Sequence, residues 1–155
     1  MEQIRFDDIE RLRSKMSADF GPWSEPIEVT QEKINRFADV TGDHQWIHID
    51  VERCKRESPF GGPVAHGFLT LSLLPAFKTN AGWTVVGQRN MVNYGANKLR
   101  FISPVPAGAK VHARSRIVSV EPKPQGTQIT QETQVHVVGQ DKPALIYEGI
   151  VLYVK

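Results

Sequence analysis

The sequence predicts an α+β domain in which one long buried helix comes early and about five antiparallel strands follow and surround it. Three observations carry that prediction. Apolar residues recur at helical spacing in the first half of the chain and on alternate positions after Gly82. The run from Phe68 to Phe77 is apolar on nearly every side, as a helix enclosed by other structure must be. A chain of 155 residues with 40% hydrophobic and 23% charged residues has the length and composition of one folded domain, taken as residues 1–155, whose core forms without disulfides or metal.

The elements follow in order. Phe6, Ile9, Leu12 and Met16 share one face of a helix over 6–16, with Asp7, Asp8 and Glu10 at its positive dipole end. Gly21-Pro22 through Pro26 stops it, and Ile27 to Val29 is a short extended stretch. Thr30 caps a second helix that carries Ile34, Phe37, Ala38 and Thr41 on one face and ends at Gly42. A short helix over 51–57 leads to the irregular Ser58-Pro59-Phe60-Gly61-Gly62-Pro63 loop, and the buried helix then starts at His66 and must kink or stop near Pro75.

Strand character takes over after Gly82, in Thr84–Tyr94 and Lys98–Ile102, followed by the Ser103–Gly108 turn. Longer strands complete the chain. Residues 127–137 alternate Ile129, Val135 and Val137 with Gln128, Glu132 and Gln134, the pattern of a sheet half open to water. Leu145 to Val154 is apolar on both faces, which marks a central strand or a subunit contact.

Composition also excludes partners. Nineteen Lys and Arg against 17 Asp and Glu leave a net charge of +2 that gathers in no block, so no nucleic-acid footprint is present. Cys54 is a lone cysteine, the N-terminus lacks the pattern of a secretory signal, and Phe68–Phe77 is too short to span a bilayer, so the cytoplasm is expected and a membrane is not.

The densest polar constellation is Thr41-Gly42-Asp43-His44-Gln45-Trp46-Ile47-His48-Ile49-Asp50. His44 and His48 have the spacing of a zinc-protease pair, but Gln45 stands where that motif needs its base, and Gly42 breaks the helix it needs; no metal is expected. Two readings stay open for Asp43 and His48. One is structural, a turn cap and a core histidine bonded to backbone. The other is acid–base chemistry, in which the Gly42 break lets a loop aim both side chains at one water molecule.

Residues 38–50, followed by Gly62-Pro63-Val64-Ala65-His66-Gly67-Phe68, resemble the hydratase motif of MaoC-like (R)-specific enoyl-CoA hydratases, within them the single-domain group related to nodulation protein N. The likeness is strong over 30–75, moderate over Asn93–Phe101 and the Pro-Val-Pro turn, and weak elsewhere. It implies a hot-dog fold, an antiparallel sheet wrapped around one helix, and a homodimer acting on an acyl-CoA thioester without metal or organic cofactor. By position it makes Asp43 and His48 the pair that activates water and the Gly67 N–H the oxyanion donor. Unpaired N–H groups and the helix dipole suit the start of a helix to that task. The implied reaction is syn addition of water to a trans-2-enoyl-CoA, giving an (R)-3-hydroxyacyl-CoA.

This chain has Gln45-Trp46 where many members have Asn-Pro; the amide, in place to hydrogen-bond Asp43, is one methylene longer and the rigid turn is gone. Phe60, Phe68 and Leu71 are candidate linings of an acyl channel, and Lys98 and Arg100 candidate contacts for CoA phosphates. His66 is either support for the site or a helix cap. Competing functions are a thioesterase on the same fold, in which the water attacks C1 instead of C3, and a non-catalytic acyl-thioester-binding or signalling protein with a lapsed site.

Overall fold

In the computed structural model, which describes residues 1–155, the chain opens with a short strand, β1 (Glu2–Arg5), and a five-residue helix, α1 (Ile9–Arg13). The Asp8 carboxylate caps α1 by accepting from the Arg11 N–H. The helix expected over 6–16 is cut short because Phe6 donates its N–H to Val86, extending a strand pairing with distant residues into what the local pattern reads as helix. After β2 (Ile27–Glu28), α2 (Gln31–Thr41) starts on Thr30, whose hydroxyl accepts from the Lys33 N–H, and ends on Gly42 at φ 77°, a conformation open to glycine at little cost. Both signals were legible in sequence.

Two short helices follow, α3 (Trp46–Ile49) and α4 (Val51–Glu57), the second capped by Asp50. The central helix α5 spans only Gly67–Ser72, and Pro75 converts its continuation into a single 3₁₀ turn, Leu74–Ala76. The long enclosed helix expected here is therefore six residues, of which Leu69 and Thr70 are buried while Phe68 is 61% exposed. Pro75 does stop it; the apolar residues beyond it pack from a turn instead.

The strand region divides at Gly87 (φ 84°), giving β3 (Trp83–Val86) and β4 (Asn90–Phe101). The expected gap near Gly95–Asn97 is instead a pair of irregularities inside one continuous strand. Then come β5 (Lys110–Lys123), β6 (Gly126–Val137) and β7 (Leu145–Val154). Five strands form one antiparallel sheet in the order β2-β5-β6-β7-β4, and β1 and β3 make a separate parallel pair that sequence periodicity did not reveal.

Alternation along β5 sends Val111 and Ala113 to the inner face and His112 and Arg114 to the outer one. A main apolar cluster joins Val111, Ala113, Val135 and Leu145 of the sheet to Ile34 of α2 and Leu69 of α5. A second cluster, Ile4, Leu12, Ile117, Val120 and Ile129, docks α1 and β1 on the far end of the same sheet. β7 is an interior strand, as its apolar faces suggest, and β4 is left as a twelve-residue exposed edge.

Candidate active site

Three segments meet here: the loop after α2, the short helix α3, and the start of α5. Gly42 turns the chain so that Asp43 leaves the helix axis, and the Asp43 carboxylate accepts the Gln45 N–H at 3.3 Å in a turn that opens α3. His48, one turn into α3, is 7% exposed, and its Nδ1 donates to the Val64 carbonyl at 2.6 Å. That bond leaves Nε2 as the ring's free lone pair. Burial pushes the His48 imidazole below its ordinary value, opposed by the Val64 bond and reinforced by neighbouring His66.

One polar atom from each of Asp43, His48 and His66 falls within 4.8 Å of the others. His66 is 3% exposed; its Nε2 donates to the Asp43 main-chain carbonyl at 2.9 Å, and its ring stacks on that of His48, centroids 3.9 Å apart and planes 27° from parallel. Imidazoles stacked face to face direct their lone pairs side by side, which is a poor arrangement for two ligands of one tetrahedral ion. His44 is turned outward, its Nε2 on Asp39 at 3.0 Å, so the His44–His48 spacing brings no metal pair together; that contact raises the His44 imidazole.

Gly67 directly follows His66, and its N–H, in the first turn of α5, has no acceptor within the chain. A Cβ at this position would lie 2.8 Å from the Phe101 ring, so glycine is what allows that ring to seat against the helix start. A cavity of about 270 Å³ opens beside it, lined by Phe60, Val64, Gly67, Phe101, Pro104 and Leu145 among others. Asp43 and His48 lie outside that lining, His48 being tied to it through the carbonyl of Val64.

The remaining expected residues divide. Phe60 lines the cavity, whereas Phe68 does not; it is exposed, with its ring edge-on to the lining residue Phe101, centroids 5.3 Å apart. Leu71 packs on the main apolar cluster. The structure does not bring Lys98 and Arg100 to Gly67. They pair with Glu148 and Ile146 of β7, whereas Phe101 pairs with Leu145, so strand alternation turns both cations to the outer face. The Gln45 side chain makes no bond to Asp43; its main-chain N–H does that work. Trp46 is half-buried under the Arg53 guanidinium, 4.2 Å from its ring centroid. Buried Cys54 donates to the Trp46 carbonyl, and burial pushes its thiol up, so it is an unreactive packing residue. Sequence reasoning missed Phe101 and the Val64 carbonyl, because neither strand periodicity nor spacing tells which ring or carbonyl faces a distant helix.

A five-stranded antiparallel sheet curled against a short central helix defines a hot-dog fold. The A. caviae (R)-hydratase involved in PHA biosynthesis shares it, with a TM-score of 0.68 at 20% identity over 88% of this chain and 97% of that one. The chain belongs to the family of the MaoC like domain, whose model matches residues 21–140. It is 51% identical over 132 residues to 3-hydroxyacyl-thioester dehydratase Z of Mycobacterium tuberculosis, covering 84% of this chain and 86% of that protein. Nodulation protein N of Rhizobium leguminosarum bv. viciae is 43% identical over 132 residues, with 83% and 81% covered.

Proposed function

We propose that this protein is a hydro-lyase that adds water to trans-2-enoyl-CoA to give (R)-3-hydroxyacyl-CoA, and catalyses the reverse dehydration. The observation that carries the reading is the convergence of the Asp43 carboxylate and the His48 imidazole next to an unpaired Gly67 N–H. The likeness to a 3-hydroxyacyl-thioester dehydratase supports it.

The chemistry follows from the geometry. His48, held neutral by burial and with its Nδ1 proton committed to Val64, presents Nε2 to a water molecule that Asp43 also grips. The Gly67 N–H donates to the thioester oxygen, which gains charge as the double bond is attacked. Hydroxide equivalent adds to C3, the enolate collapses, and C2 receives a proton from the pair, so water is consumed whole. The two proton transfers belong to the Asp43–His48 pair together. The cavity between Phe60, Phe101 and Leu145 would receive apolar parts of the substrate.

The working unit in this reading is a homodimer. β4 leaves twelve residues of edge unpaired, with Met91 58%, Val92 45% and Tyr94 64% exposed, a long apolar edge of the kind that proteins normally cover.

Crotonyl-CoA tests the reaction. Loss of enoyl absorbance without release of thiol is the expected result. Thiol release with the double bond retained would make the protein a thioesterase, and tight binding without either change would make it an acyl-thioester binder.

A further inference from the structure

His66 joins every part of the proposed site, yet no step of the reaction above uses it. Its Nε2 holds the Asp43 main chain, its flat face lies on His48, and its own carbonyl accepts the Thr70 N–H that closes the first turn of α5, immediately after Gly67. The ring is 3% exposed, and Phe37 closes another side, its ring centroid 5.0 Å away. Its second nitrogen, Nδ1, is buried without a partner. Packing alone would favour a hydrocarbon ring here, because an apolar replacement would bury no unpartnered acceptor.

We propose that His66 is a positioning residue: its hydrogen bond to the Asp43 carbonyl and its stack on the His48 ring set the separation of acid and base and tie both to the Gly67 N–H. The proposal rests on the hydratase reading for its kinetic effect and on the structure alone for its geometric one. His66 touches Asp43 through the main chain, so it acts on the loop and leaves the carboxylate free. The stack limits rotation of the His48 ring, whose only polar anchor is the Val64 carbonyl.

Two substitutions separate the two contacts. His66→Phe keeps a flat ring and removes the donor; His66→Gln keeps an N–H donor and removes the stack. Both are scored by melting temperature, by kcat and KM on crotonyl-CoA, and by the ring-nitrogen NMR signals of His48. The expected result is folded variants melting within a few degrees of wild type, kcat lowered about tenfold or more, and KM within about threefold, since misplacing catalytic groups slows the step without weakening binding. In His66→Gln a second His48 tautomer should appear, which a residue that only fills space would not produce. Folded variants that both keep kcat within twofold of wild type would overturn the proposal. If wild type itself hydrates no enoyl thioester, the hydratase reading fails separately, and the NMR arm still decides: one unchanged His48 tautomer in His66→Gln overturns the positioning role, and a mixture upholds it.

Discussion

The Phe101 ring sits where a side chain on residue 67 would have to go, 2.8 Å from the place a Cβ would occupy. This one contact couples the last residue of the edge strand to the first residue of the central helix, and it forms one wall of the 270 Å³ cavity. Gly67→Ala should therefore destabilise the fold by about 1–3 kcal/mol through overpacking. Adding Phe101→Ala should recover part of that loss, because the clashing ring is removed. A double-mutant cycle on melting temperature measures the coupling, and strictly additive losses would contradict the contact.

Asp43→Asn keeps the side-chain oxygen that accepts the Gln45 N–H, so the turn into α3 should survive. The carboxylate is lost to proton transfer, and kcat for hydration should fall by about 10²–10⁴. Steady-state kinetics with a parallel thermal melt check both halves. A variant that retains most of its activity would remove Asp43 from the reaction.

The histidines set an acid limb. Burial lowers His48, and burial, together with the nearby His136 and Arg114, lowers His112 on the outer face under Trp23. Above the unfolded value near 6.5 both states are neutral and full stability is present. As pH falls below it, the unfolded chain takes up protons that the folded chain refuses, and stability is lost down to the folded values. His44, raised by Asp39, runs the other way, but it is exposed and weak. Melting temperature should drop between about pH 6.5 and 5, and His112→Gln should flatten that drop. The acid limb of kcat/KM should likewise lie below pH 6.5, where a melting curve independent of pH would refute the argument.

Charging the β4 edge tests the dimer. Met91→Lys and Tyr94→Lys, alone or together, place cations on an exposed strand that the isolated protomer does not need to bury. Sedimentation should show a dimer for wild type and a monomer for the double variant. A monomeric wild type would leave the edge without that partner.

Local rules were readable where local chemistry decides. Thr30 and Gly42 bound α2 and Pro75 ends α5, each through a side chain or a φ constraint acting within four residues. Asp43, His48 and Gly67 were legible because Gly42 and the start of α5 are written in the sequence and the motif around them resembles a known family. The reading failed where distant partners compete with local preference. Phe6 bonds Val86 and becomes part of a strand end, and Lys98 and Arg100 face away from the cavity because β7 fixes the register of β4.

The chain of 155 residues by itself determined the limits of α2 and α4, the five-stranded α+β architecture and the identity of the acid and base candidates, since all depend on spacing, capping and backbone freedom. Only the tertiary structure decided that Nδ1 of His48 is spent on Val64, that His66 lies against His48, and that Phe101 closes on Gly67. Those are contacts between elements 16 to 34 residues apart or between rings whose facing depends on packing, and no period along the chain encodes them.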